Sequence, residues 1–348
     1  MPQNQISYVK EIELLLKNIK IKSDTSFVFN DRIYETSKTT EENLHQSNKN
    51  LKNNLITHLG NYLYQLIHCR QTFFDDQMST YRNNFYDGNR DENFIELLSK
   101  ANTGIGTWEP GWIVHKMEKN GKIAIKKNDL IIWVMPYQFA TQNSKQICVG
   151  DKGYAAMVKE YRELLPGFYM ANGNISMNYE SLVVRIYWNI TSDGAVSLVK
   201  YLTTELNNKN IPFQFKILKD ENLYTRADAG VLYIDKNDVK KASKSLSVIY
   251  DNIKSFLKPS VPLFAKKLAS GISLAEDPSN SESFGQNRCR IFAESIYDIY
   301  IKNVFASEEK FKQVEKYFKT QYVDFNKPYL KNMDSKDDYE SLHAVFGK

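Results

Sequence analysis

An α+β fold is what this 348-residue chain predicts, because the spacing of its apolar residues changes twice along its length. As far as about residue 100 they recur at helical intervals. From Trp108 they follow a strand period around the dipeptide Asn120-Gly121, and beyond residue 180 strand-like and helix-like stretches take turns. The chain reads as N-terminal helices (1–105), a β-hairpin region with a mixed sheet flanked by helices (106–320), and a C-terminal tail (321–348).

Tyr8, Ile12, Leu15, Leu16 and Ile19 mark a first amphipathic helix over 7–20, and Leu51, Leu55, Leu59, Tyr62, Leu66 and Phe73 a second over 51–74. The Thr-, Ser-, Asn-, Glu- and Lys-rich residues 35–54 between them predict a surface loop or a frayed helix start. Asp91 to Ala101 is a third short helix. His58 and His68 lie in the second helix but point in different directions around it, and so read as packing or surface residues. Next, Gly111–Val114 and Ile123–Ile125 flank Asn120-Gly121, which predicts a type I′ hairpin continuing into Leu130–Val134. Trp108, Trp112 and Trp133 read as core, with a peptide-lining role left open.

The second half predicts a strand Leu182–Ile190, a helix Asp193–Leu206 capped by Asp193, a strand Ile211–Leu218, a strand Gly230–Ile234 and a helix Asp238–Phe256. A structureless loop over 269–287 follows, of a length that is commonly functional. Helices Arg288–Tyr300 and Glu308–Phe318 complete the series.

Composition narrows the function. Basic residues number 46 against 41 acidic, a net +5 that is too small and too scattered for a nucleic-acid binder. No apolar run approaches the ~18 residues a membrane span needs. The start of the chain has no signal-peptide pattern, and Cys69, Cys148 and Cys289 are too few and too far apart for a disulfide framework. A cytoplasmic protein with no nucleic-acid or membrane partner is expected. The five histidines do not cluster and neither CxxC nor HExxH occurs, so neither a metal nor another cofactor is expected.

Four stretches place cations in otherwise apolar settings: Val184-Arg185-Ile186-Tyr187, Phe215-Lys216-Ile217, Tyr224-Thr225-Arg226-Ala227-Asp228 and Ser283-Phe284-Gly285-Gln286-Asn287-Arg288-Cys289-Arg290. A charge there needs a partner, and a phosphate dianion is one. The order and spacing of the four stretches resemble those of the phosphothreonine lyases of the OspF/SpvC kind. The reaction this resemblance implies, β-elimination of phosphate from phosphoserine or phosphothreonine, needs a base for the Cα proton, an electrophile for the enolate-like charge and cations for the departing phosphate. Lys216, on an apolar strand beside arginines, suits the base.

From about Gly104 onward the text resembles more closely the HopA-type effector family. That resemblance runs through Gly106-Thr107-Trp108-Glu109-Pro110-Gly111-Trp112, Ile211-Pro212-Phe213, Arg226-Ala227-Asp228 and Leu274-Ala275-Glu276-Asp277-Pro278, and on to Ser283-Phe284-Gly285 and Arg288-Cys289-Arg290. It implies a phosphothreonine-lyase-like core, with Lys216 as base and Arg185, Arg226, Tyr233, Arg288 and Arg290 holding the phosphate. Where the lyases have a histidine as general acid this chain has Tyr187, on the same strand face as Arg185. Its phenol, with a pKa lowered by nearby arginines, is the acid unless the arginines alone neutralise the leaving phosphate. The resemblance also implies partners: a phosphorylated ribosomal precursor peptide of a lanthipeptide-like pathway and a separate Ser/Thr kinase that supplies it, with dehydroalanine or dehydrobutyrine as product. Two alternatives stay open, a non-catalytic module binding a phosphorylated or acidic partner protein and a structural partner that presents the peptide to the kinase. Residue by residue, Arg185 and Lys216 could instead form structural pairs with Asp228 or Glu276, Tyr233 could be core, and Cys289 reads as a buried small residue.

Overall fold

A computed structural model describes residues 3–36, 48–71, 91–141, 146–178, 180–278 and 282–346. Most of the expected polar loop (37–47), and Phe73, lie outside them. The fold is α+β as expected, with differences that follow from local chemistry.

The N-terminal region holds more than helices. After α1 (Gln3–Asn18) comes an antiparallel meander of β1 (Ile19–Ser23), β2 (Ser26–Phe29) and β3 (Arg32–Glu35). Asn30 and Asp31 both have positive φ, 47° and 65°, as a type I′ turn demands. The expected I′ turn at Asn120-Gly121 is instead a three-residue loop in which only Gly121 is left-handed, closed by Gly121 N–H to Glu118 O (3.1 Å) and Glu118 N–H to Lys122 O (2.9 Å). The predicted hairpin itself forms. The second helix, α2 (Asn48–Leu63), runs into one π turn, Tyr64–His68, closed by Cys69 N–H to Tyr64 O at 2.9 Å. α3 spans Glu92–Ala101, capped by the Asp91 carboxylate.

Next, β4 (Thr107–Met117), β5 (Ile123–Lys127), β6 (Leu130–Val134), β7 (Phe139–Thr141) and β8 (Lys152–Met157) form a sheet in the order β6-β5-β4-β8-β7 around a small core of Trp112, Val114, Ile123, Ile125, Val134, Phe139 and Ala155. Trp112 is buried as expected. Trp108 and Trp133 are not: they project from the outer face, 49% and 58% exposed.

The large sheet orders its strands β14-β15-β11-β13-β12-β10-β9. They are β9 (Glu160–Leu165), β10 (Phe168–Asn172), β11 (Val183–Trp188), β12 (Phe213–Leu218), β13 (Gly230–Asp235), β14 (Lys266–Ala269) and β15 (Ile272–Glu276). Every pairing is antiparallel, so the expected mixed sheet is corrected. The reason is that the crossover helix α4 (Ser192–Asn208) carries the chain from β11 past one place to β12, and β13 then slots between them. The α4 cap position is Thr191, with Asp193 in the first turn. The expected structureless loop 269–287 contains β15, entered through Gly271 at φ 73°, where a Cβ would lie 2.4 Å from Lys258 O.

α5 covers Val239–Ile253, α6 Phe284–Ile301, α7 Ser307–Thr320 and α8 Glu340–Phe346. α6 starts earlier than expected because Ser283 and Gln286 form a reciprocal capping box. One face of the large sheet (Val184, Ile186, Trp188, Phe213, Phe215, Leu232) buries against α4, α5 and α8, and the other (Tyr187, Val231, Ala275) shares a core with α1, α2, α6 and α7. Both the N-terminal helices and residues of the expected tail, among them Val323, Phe325 and Leu330, pack into these two cores. Among the described residues no helix is long and apolar enough to cross a membrane.

Candidate functional site

Strand register assembles the site on the second face. One row across β12, β13, β11 and β15 is Lys216, Val231, Tyr187, Ser273; the row beside it is Gln214, Tyr233, Arg185, Ala275. Lys216 and Tyr187 thus stand two strands apart, roughly 10 Å between Cα atoms, with only the small Val231 between them.

Lys216 is half-buried, its Nζ 4.4 Å from the Phe168 ring centroid and 6.0 Å from that of Tyr233. Among the described residues no carboxylate pairs with it. Neither structural partner considered for it, Asp228 or Glu276, is used: Asp228 binds Arg226, and Glu276 binds Lys236 at 2.7 Å. The Arg185 guanidinium lies 5.1 Å from the Tyr233 ring centroid and is held by Asp277, with Nη2 donating to Oδ1 at 3.0 Å and to Oδ2 at 2.9 Å. Its Nε–H is buried without a partner, as are Tyr187 Oη and Ser273 Oγ. Three of the nine buried side-chain polar atoms without partners among the described residues therefore share one patch of one sheet face. Such atoms are rare enough in folded proteins to need a reason.

Arg226 and Asp228 lie at the edge of this patch, 4% and 2% exposed. Arg226 donates from Nε to Asp228 Oδ1 (2.5 Å) and from Nη2 to Asp228 Oδ2 (2.8 Å) and Tyr64 Oη (3.2 Å). Burial alone would raise the Asp228 carboxyl, but Arg226 holds it well below the usual carboxylate range. Arg226 is thus an engaged cation.

Sequence reasoning missed two residues. Ser273 was hidden because its strand was read as loop. His68 reads from the sequence as a packing or surface residue, yet the π turn delivers it to this patch. Its Nε2 is 3.6 Å from Asp228 Oδ2, its ring stacks on Tyr64 (centroids 4.9 Å, 23°) and meets Tyr187 edge-on (5.3 Å, 85°), and burial lowers its pKa against the pull of Asp228. Gly285 is a glycine for this reason: a Cβ there would sit 2.6 Å from the imidazole. No local signal in 48–71 announces the role, since its partners are Tyr187, Asp228 and Gly285.

Two expectations about Tyr187 and the late arginines change. Burial pushes the Tyr187 phenol well above its ordinary value, outweighing the downward pull of Arg185, so the expected lowering by arginines does not occur. Arg288 and Arg290 are not brought together: two positions apart on a helix, they diverge. Arg288 is 1% exposed and donates to Asn287 and to the carbonyls of Pro328 (2.7 Å), Leu330 (2.6 Å) and Lys331 (3.2 Å), with burial lowering its pKa to about 10. Arg290 pairs at the surface with Glu282 (3.1 Å) and Glu294 (2.9 Å). Cys289 is fully buried, and burial raises its thiol pKa, as fits a small packing residue. Among the described residues no three His, Cys, Asp or Glu side chains gather as a metal site requires.

Residues 160–330 match the HopA1 effector protein family. Among solved structures, the effector protein from Pseudomonas syringae pv. tomato strain DC3000 aligns at 15% identity over 79% of this chain and 97% of that one (TM-score 0.42). The effector protein from Pseudomonas syringae pv. syringae strain 61 aligns at 14% over 80% and 96% (TM-score 0.42). No curated protein matches. The matched stretch, just under half of the chain, contains all seven strands of the large sheet and both rows of the site, and it is this stretch that is similar to the HopA1 effector protein family.

Proposed function

We propose that this chain is a carbon–oxygen lyase that removes phosphate from phosphoserine or phosphothreonine of a peptide. The observation that carries the reading is the patch itself: a lysine without a carboxylate partner beside three buried polar atoms that lack partners, each able to donate to an anion. Lys216 Nζ takes the Cα proton; the electron pair becomes the Cα=Cβ bond; the Cβ–O bond breaks and its electrons leave with phosphate. Arg185 Nε–H and Ser273 Oγ–H receive the phosphate oxygens. Tyr187, whose raised pKa favours the protonated phenol before reaction, gives its proton to the departing oxygen and regains one through solvent as Lys216 releases the proton it took. His68 packs edge-on against the Tyr187 ring and fixes its position. Arg226 acts at one remove, holding Asp228 and through it His68.

On this reading the substrate is a ribosomal precursor peptide phosphorylated by a separate kinase in the cytoplasm, as in lanthipeptide-like pathways, and the product carries dehydroalanine or dehydrobutyrine. Purified protein incubated with synthetic phosphoserine and phosphothreonine peptides should convert them to products lighter by one phosphoric acid in a mass spectrum. A product lighter by HPO3 alone would mean a phosphatase, and an unchanged peptide would overturn catalysis. One observation favours a second reading, a non-catalytic module that binds phosphorylated or acidic protein: Arg185 and Arg226 are already neutralised by Asp277 and Asp228. In that case the phosphopeptide would bind and keep its mass.

A further inference from the structure

Sheet edges expose unpaired backbone donors and acceptors, and proteins blunt them with charge, proline or shortness. Among the described strands, five of the six edges follow this rule. β14 begins Lys266-Lys267; β9 carries Glu160, Arg162 and Glu163; β1 alternates Ile with Lys20 and Lys22; β3 is flanked by Arg32 and Glu35; β7 has three residues. The sixth is β6, Leu130-Ile131-Ile132-Trp133-Val134. It has five residues, no charge and no proline, pairs only with β5, and has Leu130 and Trp133 57% and 58% exposed.

The outer face next to this edge is cationic. Register places Ile131 and Trp133 on the same side as Lys126, Ile113 and Lys152. Glu118 answers both Lys116 (3.1 Å) and the Trp133 indole N–H (3.3 Å), leaving Lys126 and Lys152 with no carboxylate partner among the described residues. An edge-to-edge pairing of two copies would bring two such cationic faces together, whereas an acidic strand would complement one.

We propose that β6 is a docking edge onto which an extended acidic segment of the peptide substrate, remote from its phosphorylated residue, adds as a sixth strand. This rests on the reading of the chain as a peptide-modifying lyase, but its test does not use turnover. A short fluorescein-labelled peptide of alternating valine and glutamate should bind the full chain by fluorescence anisotropy. Binding should weaken with salt and disappear when alternate backbone nitrogens are methylated, since the ladder bonds are then lost. Trp133→Glu and Lys126→Glu, at exposed positions outside both rows of the site, should each weaken binding by about tenfold or more through like-charge repulsion, while conversion of a short phosphopeptide lacking the segment stays at the wild-type rate. Equal binding of the methylated peptide, no binding of the plain one, or insensitivity to both variants would overturn the proposal. So would sedimentation showing a wild-type dimer that Trp133→Glu dissolves, which would assign the edge to a second copy of this chain. Failure of the short phosphopeptide to react would sink the lyase reading and leave the binding result standing.

Discussion

Replacing Tyr187 by Phe should make the protein more stable and less active at once. The phenol is 2% exposed and its oxygen has no hydrogen-bond partner among the described residues, so the folded state carries an unsatisfied buried hydroxyl. Leaving such a group unpaired costs roughly 1–3 kcal/mol, and removing it while keeping the ring recovers part of that. The ring contacts with His68 and Phe284 survive the change. A gain of up to ~1 kcal/mol in urea unfolding, with an unchanged slope, is the expected stability result. If the phenol protonates the leaving phosphate, the single-turnover rate should fall by roughly 10²–10⁴, the usual worth of a positioned general acid. The two measurements together refute more than either alone. A loss of stability above ~1 kcal/mol would mean that the hydroxyl has a partner after all. A rate within about tenfold of wild type would take Tyr187 out of the mechanism and leave the leaving group to Arg185 and solvent.

Lys216→Ala should abolish elimination while phosphopeptide affinity changes by less than about tenfold, because a base acts mainly in the transition state; near-normal turnover would end its assignment. Arg226→Ala leaves Asp228 buried and uncompensated and should destabilise by ~3–5 kcal/mol, whereas Arg290→Ala breaks surface pairs worth ~0–1 kcal/mol; similar losses in thermal unfolding would contradict the burial difference between them. Gly285→Ala should cost about 1–3 kcal/mol by forcing a methyl group against His68, and an unchanged melting temperature would show that the contact relaxes freely. Because the folded state depresses the His68 pKa, its contribution to stability is full above the unfolded value near ~6.5 and is lost as pH falls through the folded one. Stability should therefore decline below about pH 6.5 in the wild type, and His68→Asn should flatten that part of the profile.

What the sequence made legible was whatever depends on strand alternation. Spacing alone puts Arg185 and Tyr187 on one face, because a period of two leaves few choices. Lys216 and Tyr233 are grouped with them in the sequence only through the resemblance to the lyases, and it is the strand register that puts all four on that face. The register that makes two rows of these residues was not legible, since it depends on β13 inserting between β11 and β12. Boundaries misled the rest. Starting α6 at Arg288 rather than at the Ser283 cap made two arginines look like a phosphate clamp at a helix terminus, when a turn of helix separates Arg288 from that terminus and its donors are taken by the carbonyls of 328–331. Reading 269–287 as loop hid Ser273. His68 could not have been found by spacing: its partner Asp228 lies far along the chain, and the π turn that aims it is a backbone detail.

The half-buried Arg185 and the buried Arg226 also part company on geometry, which bears on where the proposed lyase would seat a phosphate. Asp277 receives only Nη2 of Arg185, and the Nε–H of that guanidinium is left buried without a partner. Asp228 receives both Nε and Nη2 of Arg226, the same edge a phosphate would use. A dianion arriving at Arg226 would have to displace a carboxylate that burial makes costly to strand, whereas at Arg185 it would supply an acceptor that the buried Nε–H lacks. Ser273 stands directly across from Tyr187, one position along the strand face from Arg185, and Lys216 lies two strands beyond Tyr187 over Val231. If the chain is the lyase proposed above, the anion seat is therefore expected at Arg185, Tyr187 and Ser273. Lys216 lies too far along the row to share that seat, and on the same proposal it is the group left for the Cα proton.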